Sequence, residues 1–319
     1  MPSYISRRTR VDTSRISEEN EQPVRPFVKW AGGKGQVLPH IRNAYPEGLG
    51  RTLTRYAEPF VGGGAVLFDI LNTFDLEEVY ISDINAELIN VYTVIRDNCN
   101  ELVAALRGME DEYIPQQDAA RRAIFYAGRE RYNSIKGGGF MAPVETAALF
   151  IFLNRTCFNG LYRVNKKGFF NVPMGSYKNP TICDEHNLRN ISRRLQKVEI
   201  VCGDYRESAG FVDEKTFVYF DPPYRPLTPT ANFTSYTETA FDDGAQVKLA
   251  GYVRLLGERG AKVLVSNSDP KNNDINDDFF DDLYAGWRIR RVPAARLINC
   301  NSDARGAISE LLISNYPAG

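Results

Sequence analysis

Histidine and paired cysteine are the scarcest resources of this 319-residue chain. Its two histidines, His40 and His186, lie in no metal-like or triad-like cluster, which argues against a metal centre and against a histidine-based hydrolase. The five cysteines, Cys99, Cys157, Cys183, Cys202 and Cys300, are odd in number, scattered and never spaced as Cys-x-x-Cys. Neither a disulfide framework nor a thiolate zinc site is indicated. No stretch approaches the roughly 20 apolar residues of a membrane span. The opening Met1 to Gln22 is polar and charged rather than signal-like. The expectation is a soluble cytoplasmic protein with a disordered tail over residues 1–25. Its chemistry is left to carboxylates, amides, aromatics and lysines.

A net charge of −1 offers no general attraction for a polyanion, but the average conceals segregation. Between Ala120 and Pro180 ten basic residues face two acidic ones, Glu130 and Glu145, so this segment stands at 10 − 2 = +8. The counterweight is an acidic stretch holding Asp274, Asp277, Asp278, Asp281 and Asp282. A segregated basic patch suits a nucleic-acid partner, although a solvated helix face explains Arg121 to Arg131 equally well.

From residue 26 the pattern alternates. Strand-like Leu53 to Ala57 leads through Glu58-Pro59-Phe60-Val61-Gly62-Gly63-Gly64 into helix-like Ala65 to Leu71, then strand Val79 to Ile81. Apolar residues at helical spacing predict one helix over Ala86 to Leu106, capped by Asn85. Between about 100 and 195 the alternation gives way to helical patterns around Gly137-Gly138-Gly139 and a glycine-punctuated aromatic stretch, Phe158 to Met174. Alternation then resumes, with strands expected at 198–202, 217–220, 262–265, 288–292 and 310–313. This predicts an α/β fold: a Rossmann-like, parallel, doubly wound sheet split by an inserted, mainly helical domain containing a hairpin. The expected division is tail 1–25, one domain from 26–99 and 196–319, and an inserted domain at 100–195.

Three motifs carry chemistry. The Phe60 to Gly64 loop between strand and helix lets backbone approach a ligand, although alone it is as well read as a tight turn. Asp83, about 20 positions on at the tip of the next strand, is placed to accept from two ribose hydroxyls, and also suits a helix N-terminus. Together they favour a nucleoside-containing cofactor. Upstream, Lys29-Trp30-Ala31-Gly32-Gly33-Lys34 offers Lys34 for the carboxylate of an amino-acid-like cofactor and Trp30 for its positive or apolar part. Finally, Asp221-Pro222-Pro223-Tyr224 follows an apolar strand. Two prolines end the strand and fix the carboxylate, the carbonyls and the tyrosine ring in one arrangement suited to a flat, amine-bearing ring.

In this order the motifs resemble Dam-like DNA adenine-N6 methyltransferases of class alpha. The likeness also takes in Asn154 to Arg163, Phe170 to Gly175, Ala231 to Tyr236 and Val265 to Asp269, and runs from about Pro26 to Tyr316. It implies S-adenosylmethionine as cofactor and a flipped adenine in duplex DNA as acceptor, with no metal. By the same likeness Trp30, Lys34, Phe60, Gly62, Gly64, Asp83, Asp204, Tyr205 and Asp221 line the cofactor site. Asp221, Pro222, Pro223 and Tyr224 are catalytic. Lys29, Phe158, Asn159, Leu161, Arg163 and Pro173 match residues that contact or wedge the bases of GATC, and Arg155, Asn165, Asn171 and Tyr177 match contacts to the DNA backbone. Two positions depart from the pattern: phenylalanine stands at 158 where tyrosine is usual, and Ser176 replaces an arginine found in some relatives. A restriction endonuclease is a candidate partner and a monomer the expected state. The alternatives are a catalytically silent DNA-binding protein of this fold and an N6 methyltransferase acting on RNA.

Overall fold

The computed structural model describes residues 22–136, 142–225, 241–294 and 308–317. Most of the tail, Gly137 to Gly139, the 231–236 motif and Cys300 lie outside the described residues. The elements run α1 (Leu38–Arg42), β1 (Arg55–Glu58), α2 (Ala65–Thr73), β2 (Glu78–Asp83), α3 (Ala86–Asp97), α4 (Cys99–Tyr113), α5 (Asp118–Lys136), α6 (Pro143–Thr156), α7 (Glu185–Leu195), β3 (Val198–Cys202), β4 (Thr216–Phe220), α8 (Asp243–Glu258), β5 (Lys262–Ser268), α9 (Phe279–Leu283), β6 (Arg288–Ala294) and β7 (Ile308–Ser314). Among the described residues the strands form one sheet in the order β3-β2-β1-β4-β5-β7-β6. β1 to β5 are parallel, and β7 enters antiparallel between β5 and β6.

Strand alternation sorts the side chains into two cores. Tyr56, Phe217, Tyr219 and Leu264 face a cluster shared with α1 to α7, while Ala57, Val218, Phe220 and Val265 face one shared with α8 and α9. β4 is buried at every position, as a central parallel strand covered on both faces must be. α6 is apolar nearly all round and is enclosed rather than amphipathic. It packs with α3, α4 and α5, so the helices between β2 and β3 share the core of the sheet. Each fully enclosed ring there, such as Phe152 or Phe125, contributes about 2–3 kcal/mol.

Two sequence expectations are corrected in detail. The helix expected over Ala86 to Leu106 breaks at Asn98 (φ −131°, ψ 38°), which ends α3 and opens α4. Its N–H still closes on Val94 O at 2.8 Å and its carbonyl accepts from Leu102 N at 3.0 Å, so two helices share one residue as a joint. The hairpin at 158–174 forms with isolated bridges only, Cys157 to Met174 and Val164 to Phe170.

Candidate active site and DNA-facing surface

Strand order reverses between β1 and β4, since the chain leaves β1 toward β2 on one side and returns to β4 on the other. In such sheets ligands bind in the crevice beyond the carboxyl ends of the strands at this point. The Phe60 to Gly64 loop leaves β1 there, and Asp221 leaves β4.

The glycine loop is pinned from two sides. Gly62 N donates to Asp83 Oδ2 at 3.1 Å, Asn85 N donates to Asp83 Oδ1 at 2.9 Å, and the Tyr92 hydroxyl donates to Gly62 O at 3.0 Å. Asn85 caps α3 as expected, accepting from Leu88 N at 2.9 Å. Burial raises the Asp83 carboxyl, and backbone N–H groups of Asn85, Gly62 and Ile84 pull it back. The glycines also serve packing. A Cβ at Gly63 would stand 2.8 Å from Trp30 Cβ, and one at Gly64, itself at φ +72°, 2.5 Å from the Tyr92 hydroxyl. The Trp30 indole lies against the loop and stacks on Tyr162 at 5.5 Å, joining the loop to the hairpin.

Beside the loop, Phe60 stacks on Tyr205 with centroids 5.5 Å apart. Asp204 caps the turn after β3, with Oδ1 accepting from Arg206 N at 3.0 Å and Arg206 Nε at 2.6 Å. Gly203 N donates to Asp83 O at 3.1 Å and so ties the ends of β3 and β2 together. Ile84, beside Asp83, is 65% exposed, an apolar side chain open to solvent that sequence reasoning passed over. Its only signal is an isoleucine inside a capped polar turn.

Across the crevice, the Asp221 carboxylate receives the Ser266 hydroxyl at 2.9 Å on Oδ1 and the Lys34 ammonium at 2.8 Å on Oδ2. Lys34 also donates to Gly32 O at 2.8 Å and stands 4.6 Å from the centroid of the Tyr224 ring. Only 4% of Lys34 is exposed. The lysine expected near the cofactor thus meets the acid and the ring expected to hold the acceptor. The loop is braced from behind: the buried Gln246 donates to Pro223 O at 3.1 Å, Asn267 donates to Gln246 Oε1 at 3.1 Å, and the Tyr224 hydroxyl donates to Glu310 Oε2 at 2.7 Å. Sequence reasoning missed Gln246 and Glu310 and held Ser266 only inside the Val265 to Asp269 match, with no role; all three reach the motif from other strands and helices.

The residues expected to face DNA fall into two groups and one outlier. Asn154 clips Lys29 by accepting from its N–H and donating to its carbonyl, both at 2.9 Å, and Nδ2 also donates to Gly160 O at 2.9 Å. Lys29 Nζ reaches the Tyr177 hydroxyl at 3.1 Å. Next to them Phe158 is 52% exposed, Phe158 N donates to Pro173 O at 2.9 Å, and Asn159 adopts φ +54°. Leu161 is half-buried against the core. Along the hairpin, exposed Arg163 donates from Nε to Asn171 Oδ1 at 2.8 Å, while Asn165 Oδ1 shapes the tip by accepting from Lys167 N and Phe169 N. Arg155 stands apart. Its guanidinium turns inward to Phe27 O at 2.8 Å, and burial lowers its pKa.

No group of histidine, cysteine or acidic residues placed to hold a metal occurs among the described residues, and none of their helices is long and apolar enough to cross a membrane. A seven-stranded sheet whose order reverses between β1 and β4, with an acid at the tip of β2 and another just beyond β4, is the arrangement of a Rossmann-like methyltransferase. Within that class the chain belongs to the D12 class N6 adenine-specific DNA methyltransferase family, which matches residues 30–298. It is 48% identical over 295 residues to the Type II methyltransferase M.MjaIII of Methanocaldococcus jannaschii, covering 92% of this chain and 99% of that one. It is 36% identical over 303 residues to the Type II methyltransferase M1.LlaDCHI of Lactococcus lactis subsp. cremoris, covering 94% and 99%. Against the DNA adenine methylase of Escherichia coli K12 the identity is 35% over 293 residues, covering 92% and 96%. The chain is an adenine-specific DNA methyltransferase dependent on S-adenosylmethionine.

Proposed function

We propose that the enzyme methylates N6 of an adenine flipped out of duplex DNA, within GATC, and that residues 100–195 act as its target-recognition domain. The observation that carries the acceptor assignment is the Lys34 ammonium, an N–H donor already lodged 2.8 Å from the Asp221 carboxylate and 4.6 Å from the Tyr224 ring centroid. An adenine amine over an aromatic plate makes the same demands. Inside a duplex N6 is out of reach of this loop, so the base must leave the stack, and Tyr224 offsets part of the lost stacking.

The cofactor supplies an electrophilic methyl sulfonium. For it the donor set fits: the two Asp83 oxygens each hold one backbone N–H and keep lone pairs for ribose hydroxyls. Phe60, Ile84, Asp204 and Tyr205 would hold the cofactor's adenine, and Trp30 with the glycine loop would hold its methionine part. The chain's own work is on the acceptor. The N6 lone pair is delocalised into the ring, and hydrogen bonds from the amine to Asp221 and a proline carbonyl favour a tetrahedral nitrogen and hold its proton. The remainder is positioning.

Asp221 must be ionised for this, and burial raises its carboxyl while Lys34 and Ser266 pull it back. The rate is therefore lost as pH falls through a value above that of an ordinary aspartate. Lys34→Met removes the opposing cation and shifts this acid limb to higher pH, read in single-turnover rates at saturating cofactor. A limb that stays put or moves down contradicts the assignment.

Labelled-cofactor transfer to duplexes carrying GATC or single-base variants tests the specificity. No transfer to any adenine overturns the whole reading, and transfer without preference overturns only GATC. Arg163, a planar fork suited to guanine O6 and N7, discriminates by about 1–3 kcal/mol. Arg163→Ala should relax preference at the guanine by about 5- to 150-fold in relative kcat/KM. The name type II methyltransferase, borne by two relatives, supports a restriction endonuclease as a partner, and a cytoplasmic monomer suits that role.

A further inference from the structure

The geometry points to Glu310 as a positioning residue that holds the Tyr224 ring in place for the flipped base. The inference rests on the reading of Tyr224 as the plate beneath the acceptor. β4 and β5 are parallel and end at the crevice, whereas β7 runs antiparallel beside β5 and so begins there. Glu310, near that beginning, pairs in register with Ser268 at the end of β5. Of the strands neighbouring β5, only one of reversed direction starts its run at the mouth of the site.

The tyrosine is thereby held at both ends. At its backbone, two prolines restrict φ and Gln246 takes the Pro223 carbonyl at 3.1 Å. At its tip, the hydroxyl donates to Glu310 Oε2 at 2.7 Å. Hydrogen bonds to a carboxylate are short and roughly twice as strong as neutral ones, so the bond restricts the swing of the ring about χ1. A base stacked on a swinging ring presents its amine to Asp221 for a smaller fraction of the time, and reactions governed by positioning are sensitive to such misplacement. Glu310 touches neither the base nor the cofactor in this arrangement, so its effect must pass through Tyr224.

The test compares Glu310→Ala, Glu310→Gln, Tyr224→Phe, Tyr224→Ala and the Glu310→Ala/Tyr224→Phe pair in single-turnover methylation of a duplex, alongside cofactor affinity and thermal midpoint. Glu310→Ala and Tyr224→Phe should each slow transfer by about tenfold, the loss of one charge-assisted bond, and the pair should be no slower than either alone. Glu310→Gln, which keeps an acceptor, should recover most of the rate, and cofactor affinity should not move. If Glu310→Ala fails to fold, Tyr224→Phe and Glu310→Gln carry the same comparison. Unimpaired Glu310→Ala or Tyr224→Phe enzymes, or effects that multiply in the pair, overturn the positioning role while a crippled Tyr224→Ala leaves the plate standing. A Tyr224→Ala enzyme of full activity overturns the plate itself, and the role of Glu310 with it.

Discussion

Asp221→Ala is expected to slow single-turnover methyl transfer by about 10³-fold while leaving cofactor affinity nearly unchanged, since removing one preorganised transition-state partner typically costs about 10²–10³ in kcat. The same substitution also strips the Lys34 ammonium of its carboxylate. With the lysine side chain only 5% exposed, its charge is left with a backbone carbonyl and the face of a tyrosine. Breaking a buried pair from one side costs about 3–5 kcal/mol, so the variant should also melt earlier. These two losses separate in the double variant Asp221→Ala/Lys34→Met. Replacing both partners of a buried pair by apolar groups is often neutral or stabilising, so the melting temperature should return while transfer stays lost. Recovery of transfer along with stability would mean that Asp221 serves only the fold, and loss of cofactor affinity with turnover retained would move it to the cofactor side.

What was legible in the sequence was what local rules dictate. The prolines at 222 and 223 ended β4 where the tetrapeptide said a strand must end, Asn85 capped α3, and the Gly62 to Gly64 loop lay between β1 and α2. The alternation of elements gave a doubly wound sheet but not the antiparallel entry of β7, and the helical patterns between about 100 and 195 gave α5 and α6. What escaped was whatever depends on residues far apart in the chain. Nothing near Tyr224 announces a hydrogen bond to Glu310, 86 positions later, and nothing near Asp221 announces Ser266, 45 positions on. Lys34 was read as a lysine of the cofactor site, and its partner in the structure is the acid of the other motif. Arg155 was expected, by family likeness, among the contacts to the DNA backbone. Its position on α6, a helix enclosed on nearly every face, turns the guanidinium toward Phe27 O, 128 positions away. The glycine loop was legible as a loop, whereas its packing against Trp30 required the fold.

Asp83 raises the sharpest choice between a structural and a chemical role, because its carboxylate already fastens the glycine loop and the start of α3 through Gly62 N and Asn85 N. If that is its whole purpose, Asp83→Ala loosens the loop and lowers the melting temperature without regard to the cofactor's sugar. If the remaining lone pairs bind the two ribose hydroxyls, two charge-assisted hydrogen bonds of about 1.5–3 kcal/mol each are lost, and cofactor affinity should fall by at least about 100-fold. Loop loosening alone also weakens binding somewhat, so affinity is not decisive by itself. The decisive comparison uses the demethylated cofactor and its analogues lacking the 2′- or 3′-hydroxyl. The wild-type enzyme should prefer the intact sugar by about tenfold or more per hydroxyl, as a site built to bond a hydroxyl penalises its absence. Asp83→Ala should bind all three alike, and Asp83→Asn, with one acceptor oxygen left, should keep part of the preference. Equal preference in the wild-type and alanine enzymes would confine Asp83 to the backbone and send the search for the ribose partner elsewhere along the crevice.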